Sequence, residues 1–117
     1  MSNKLHFAHT WQVHYTSEET FNLDSVQFKE LMKVLDINCF YDDDEFADDM
    51  ECMVDDWKSA LERLRNYPYI PEDDCDAIEK ALAMLTPKPS VQELNEYLTR
   101  IYTNSDTEDG YIHISFF

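Results

Sequence analysis

The chain has 117 residues, a formal net charge of −16 at pH 7, 44% hydrophobic and 14% aromatic residues, and a single glycine, Gly110. That length suits one domain with one core, and the aromatic content excludes an acidic disordered chain, which would be poor in such residues. The lone glycine excludes a glycine-rich phosphate loop, and the negative balance repels nucleic acid and anionic lipid.

Leu5, Phe7, His9, Trp11, Val13 and Tyr15 alternate with His6, Ala8, Thr10, Gln12 and His14. This period of two predicts a strand with one buried face. Thr16 to Glu19 reads as a turn, and Thr20 to Leu23 offers a return strand that would complete a hairpin. Asp24 and Gln27 have the spacing of a capping box, and Phe28, Leu31, Met32 and Leu35 follow at helical spacing. A second helix is predicted from Asp42 to Asn66, on the stripe Phe46, Met50, Met53, Trp57, Leu61 and Leu64. Tyr67, Pro68 and Pro71 stop it.

A third helix starts near Pro71, with Ile78, Leu82 and Leu85 on its buried side. Ser90 and Glu93 form a capping box for a fourth, whose stripe is Val91, Leu94, Leu98 and Ile101. Asn104 to Gly110 is a polar loop, after which Tyr111 to Phe117 alternates again as a strand. The C-terminal strand needs a ladder partner, and helices cannot supply one. The expectation is therefore one α+β domain over residues 1–117. In it a small antiparallel sheet, the N-terminal hairpin plus the C-terminal strand, packs against about four helices.

Charge is the most informative feature. Between Lys33 and Lys58 there is no basic residue, and Asp36, Asp42, Asp43, Asp44, Glu45, Asp48, Asp49, Glu51, Asp55 and Asp56 fall in that gap. On a helix, Asp44 with Asp48, Glu45 with Asp49 and Glu51 with Asp55 would repel, each pair costing about 0.2–0.5 kcal/mol. Helix-dipole compensation would cover the first turn and miss Asp55 and Asp56. Repulsion without structural return marks Asp44, Asp48, Glu51, Asp55 and Asp56 as candidate partner-binding residues. A solvated face that only keeps the protein soluble is the competing reading. A second acidic run, Glu72, Asp73, Asp74, Asp76 and Glu79, opens the third helix, where the dipole favours it.

Other chemistry is weakly signalled. Asp42 to Glu45 lacks the ligand pattern and central glycine of a calcium loop. Cys39, Cys52 and Cys75 are odd in number without a short Cys-x-x-Cys spacing, which predicts free thiols rather than a disulfide framework or a zinc site. His6, His14 and His113 would share a sheet face if the terminal strands pair, and three imidazoles there could ligate zinc. Exposed strand histidines are the plainer expectation. His9, on the apolar face, is expected to be a hydrogen-bonded core residue. Tyr67, Tyr69, Tyr97 and Tyr102 sit at or near helix ends, as interface anchors or core edges.

The expected function is a small acidic binding protein without a cofactor or metal, and not an enzyme. It would occupy the basic surface of a nucleic-acid-acting protein by charge mimicry, without contacting nucleic acid or membrane itself. In charge and size alone the chain resembles small acidic inhibitors such as immunity, anti-restriction and anti-CRISPR proteins, a likeness that assigns no residue a role. The alternatives are a carboxylate- or histidine-based metal-dependent enzyme, or an accessory protein whose charge serves only solubility. No signal peptide or membrane-spanning stretch is visible, so a cytoplasmic location is expected.

Overall fold

The computed structural model describes residues 4–21, 23–41 and 49–117. Within them the order is β1 (Leu5–Thr10), β2 (His14–Ser17), α1 (Ser25–Val34), β3 (Cys39–Phe40), β4 (Asp49–Met53), α2 (Val54–Asn66), α3 (Glu72–Ala83), α4 (Val91–Asn104) and β5 (Tyr111–Phe116). The class is α+β, as expected. The strands form one antiparallel sheet in the order β2-β1-β5-β4-β3. The C-terminal strand does pair with the N-terminal hairpin, with Leu5 opposite Phe116 and Phe7 opposite Ile114. It lies at the centre of the sheet, because its other side pairs with β4 from Asp49–Ser115 to Met53–Tyr111.

Two expectations are corrected. The first strand is not continuous to Tyr15: it stops at Thr10, and the return strand is His14–Ser17 rather than the segment from Thr20 to Leu23. The register shifts between Ala8 and Thr10, and a turn closes with the Val13 amide donating to the Thr10 carbonyl at 3.0 Å. Gln12 takes φ +68 in that turn. Glycine and asparagine are the usual signals for such a conformation, and neither is present. Phe21 and Leu23, within the segment expected to be the return strand, are buried core residues outside any strand.

The helix expected from Asp42 to Asn66 begins only at Val54. Residues 49–53 are strand β4, and those before them to Asp42 lie outside the described residues. Met50, Met53 and Trp57 fit a helical stripe, yet Met50, Cys52 and Val54 fit a strand equally well, and within residues 49–53 it is Met50 and Cys52 that are buried, not Met53. Ladder pairing with β5 decides between them, since it satisfies every β4 backbone group facing that strand.

Elsewhere local signals and tertiary packing agree. Asp24–Gln27 and Ser90–Glu93 are complete capping boxes. Phe28, Leu31, Met32, Leu35, Trp57, Leu61, Leu64, Ile78, Leu82, Leu85, Leu94, Leu98 and Ile101 are all buried. They meet Leu5, Phe7, Met50, Cys52, Ile112, Ile114 and Phe116 from one sheet face in a single core. Trp57 is fully buried and its indole N–H donates to the Leu98 carbonyl at 3.0 Å, tying α2 to α4. Tyr97, expected at a core edge, is at its centre, edge-on to Phe21. Among the described residues no helix is long and apolar enough to cross a membrane.

Candidate functional site

The sheet face opposite the helices carries the site. Strand alternation places Asp49, Glu51, Tyr111, His113 and Ser115 there together, as the partners Asp49–Ser115 and Glu51–His113. The Val54 amide donates to the Gly110 carbonyl, so these alternate positions fall on the non-hydrogen-bonded pairs, where side chains come closest. The consequence is close contact across the strands: Ser115 Oγ donates to Asp49 Oδ1, and Glu51 Oε1 lies 3.8 Å from His113 Nδ1, beyond hydrogen-bond distance.

His113 is the buried polar residue of this face, at 4% exposure. Its Nε2 lies 2.7 Å from Asp109 Oδ2, and Trp11 stacks on the ring at 4.1 Å between centroids. The loop before β5 builds this arrangement. Asp109 also accepts the Tyr111 amide at 3.1 Å, and Asp106 accepts the Trp11 amide at 3.3 Å. The Asp106 amide donates to the Ala8 carbonyl. One acidic loop thus anchors both partners of the Trp11–His113 stack. Trp11 reaches this face because the irregularity after Ala8 and the turn at Gln12 break the alternation that would have sent it to the core.

A groove of about 480 Å³ opens over these groups, walled by Trp11, Tyr15, Phe40, Asp49, Glu51 and His113. Phe40 and Tyr41 are about half exposed at its β3 side. Burial, then the charge of Asp49, pushes the Tyr15 hydroxyl above its ordinary value. The groove lining therefore combines aromatic rings with carboxylates.

The expected partner-binding residues do not form one helical face. Asp44 and Asp48 lie outside the described residues. Glu51 is on β4 in the groove, while Asp55 and Asp56 open α2. The dipole expectation for the last two is reversed: they occupy the first turn, where a carboxylate stabilises the helix. Asp56 in addition accepts the Asn38 amide at 2.9 Å, a structural bond that holds the start of β3. Asp55 is exposed.

The histidines are likewise redistributed. His6 stacks on Phe117 at 3.7 Å, and His14 stacks with His9 at 5.6 Å, so neither meets His113. His9 is exposed at the bulge and bonds Thr16 Oγ1 at 2.8 Å, rather than lying in the core. Among the described residues no group of three or more His, Cys, Asp or Glu is placed to hold a metal ion. Trp11, Tyr15, Asp49 and Asp109 were not singled out by sequence reasoning. Asp49 is signalled only by the alternation of β4 against β5, Trp11 and Tyr15 arrive through the bulge and turn that lead into β2, and Asp109 comes from the loop before β5. Comparison with protein-family models, with curated proteins and with solved structures finds no match to the chain.

Proposed function

We propose that this is a binding protein that docks on a basic protein surface, with the groove face of the sheet as its contact. The observation that carries the reading is that Asp49 and Glu51 line one groove together with Trp11, Tyr15 and Phe40. A guanidinium or ammonium group gains twice in such a site, from the carboxylate and from the ring face. Exposed aromatics with adjacent charge are also the composition of binding hot spots. The net charge of −16 adds long-range attraction for a basic partner. Nucleic-acid-acting proteins carry surfaces of that kind, so inhibition by charge mimicry is the function we favour. The contact moves from a helix to a sheet face, with Glu51 at its centre and Asp55 at the start of α2 as an outlying charge.

The enzymatic reading has less support. His113 spends Nε2 on Asp109 at 2.7 Å, and its ring is 4% exposed and covered by Trp11, which limits its reach to a substrate.

The test is an NMR titration with an arginine-rich peptide at low and physiological salt. Amide shifts should concentrate on Trp11, Tyr15, Phe40, Glu51 and His113, and should weaken in an Asp49→Asn/Glu51→Gln variant. Shifts spread equally over Glu72, Asp73 and Asp74 of α3 would reduce the charge to a solubilising role and remove the proposal.

A further inference from the structure

Cys39 and Cys52 are directly opposite each other on β3 and β4, and their Sγ atoms lie 2.8 Å apart. The Met53 amide donates to the Asn38 carbonyl at 3.0 Å, which makes Cys39–Cys52 the adjacent, non-hydrogen-bonded pair. Such pairs hold their Cα atoms about 4.5 Å apart, within the span that a disulfide bridges without backbone movement. Both are free thiols here.

We propose that Cys39 and Cys52 form a reversible cross-strand disulfide that clamps the two-residue edge strand β3 to β4. Closing it joins the ends of the segment 40–51, which carries seven of the acidic residues between Lys33 and Lys58: Asp42, Asp43, Asp44, Glu45, Asp48, Asp49 and Glu51. It also locks Phe40 opposite Glu51, the next pair along, on the groove face. The inference does not depend on what the groove binds.

The two thiols differ in access, and this orders the chemistry. Cys52 is buried among core residues, whereas Cys39 is half-buried and lines a cavity of about 470 Å³ together with Lys29, Lys33 and Tyr41. Burial, with the neighbouring Cys39 thiol, pushes the Cys52 thiol well above its ordinary value. Cys39 is thus the thiol that an external disulfide of the glutathione type reaches first. Its thiolate attacks one glutathione sulfur, forming a mixed disulfide and expelling one glutathione thiolate. The Cys52 thiol gives its proton to that leaving thiolate and attacks the Cys39 sulfur, and the second glutathione departs as thiolate and takes a proton from solvent. The protein loses two electrons and two protons overall, and glutathione disulfide is reduced to two glutathiones.

Equilibration of the full chain in glutathione redox buffers, followed by acid quenching, alkylation and peptide mapping, tests this. The expected result is a single Cys39–Cys52 link, retained in Cys75→Ser and absent in Cys39→Ser. The oxidised form should have a thermal midpoint about 10 °C above the reduced form. Cys75→Ser keeps the pair intact, so it carries the test even if Cys39→Ser folds poorly. Three alkylated thiols in every buffer, a link through Cys75, or a Cys39–Cys52 link that leaves the midpoint unchanged would each overturn the proposal.

Discussion

The two faces of the sheet use the same strands for opposite ends. On the helix side, Leu5, Phe7, Met50, Cys52, Ile112, Ile114 and Phe116 are all buried. On the other side the intervening positions carry His6, Asp49, Glu51, His113 and Ser115: Ser115 bonds Asp49, Glu51 lies beside His113, and His6 and His113 stack on aromatic rings. The helix-side face is held by burial, which is non-directional and tolerates approximate fit. The groove face is held by directional contacts, each of which needs a particular partner. One face can therefore be read from hydrophobic period, and the other only from register.

The two faces should respond differently to substitution and truncation. The largest effect should come from deleting residues 111–117. Strand β5 pairs on both sides and puts Ile112, Ile114 and Phe116 into the core. Losing three such side chains at about 2–5 kcal/mol each matches or exceeds the whole stability of a typical domain. The truncated chain should show no cooperative thermal transition, and a preserved midpoint would refute the central role of β5.

Replacing Trp57 with Ala should cost about 3–5 kcal/mol by chemical denaturation, from the cavity and the lost bond to Leu98. Trp11→Ala, on the groove side, should cost much less, because Trp11 remains 38% exposed. Equal costs would erase the distinction between the faces.

A smaller effect sharpens the groove side. Asp109→Asn weakens the contact to His113 Nε2 and should destabilise the fold by about 1.5 kcal/mol, because an ionised acceptor is replaced by a neutral one. The His113 ring resonances should shift while the core methyl signals stay in place. Displaced core signals would mean that the two faces are not independent.

The smallest change concerns the helix side. Tyr97 is fully buried, and its hydroxyl finds no hydrogen-bond partner among the described residues. Burial, then the charge of Glu18, pushes that hydroxyl above its ordinary value of 10.0. The unfolded chain therefore ionises first on going alkaline. The stabilisation is complete below about pH 10 and is lost as the pH rises from there toward the folded value. Tyr97→Phe should be neutral or stabilising by up to about 1 kcal/mol near pH 7 and should flatten the alkaline decline in stability. A variant destabilised at pH 7 would show that the hydroxyl has a partner after all.

Both capping boxes, the stripes of α1, α3 and α4 and the terminal strand were legible in the sequence, because each depends on neighbours within one turn or one strand. The class follows from them. Other elements answer to residues far along the chain. Residues 49–53 have a pattern compatible with helix and strand alike, and pairing with β5 selects the strand. That choice moves Glu51 from a helix face into the groove and brings Asp55 and Asp56 to a helix start. Trp11 changes face through a bulge and a turn with no glycine or asparagine to announce them. Cys39 and Cys52 look unrelated at a separation of 13 residues and meet only through the β3–β4 register. The sequence by itself determined the elements whose energetics are local and the acidity of the surface. The tertiary structure alone decided which carboxylates, rings and thiols share a face, because strand register depends on hydrogen bonds between segments that no local pattern connects.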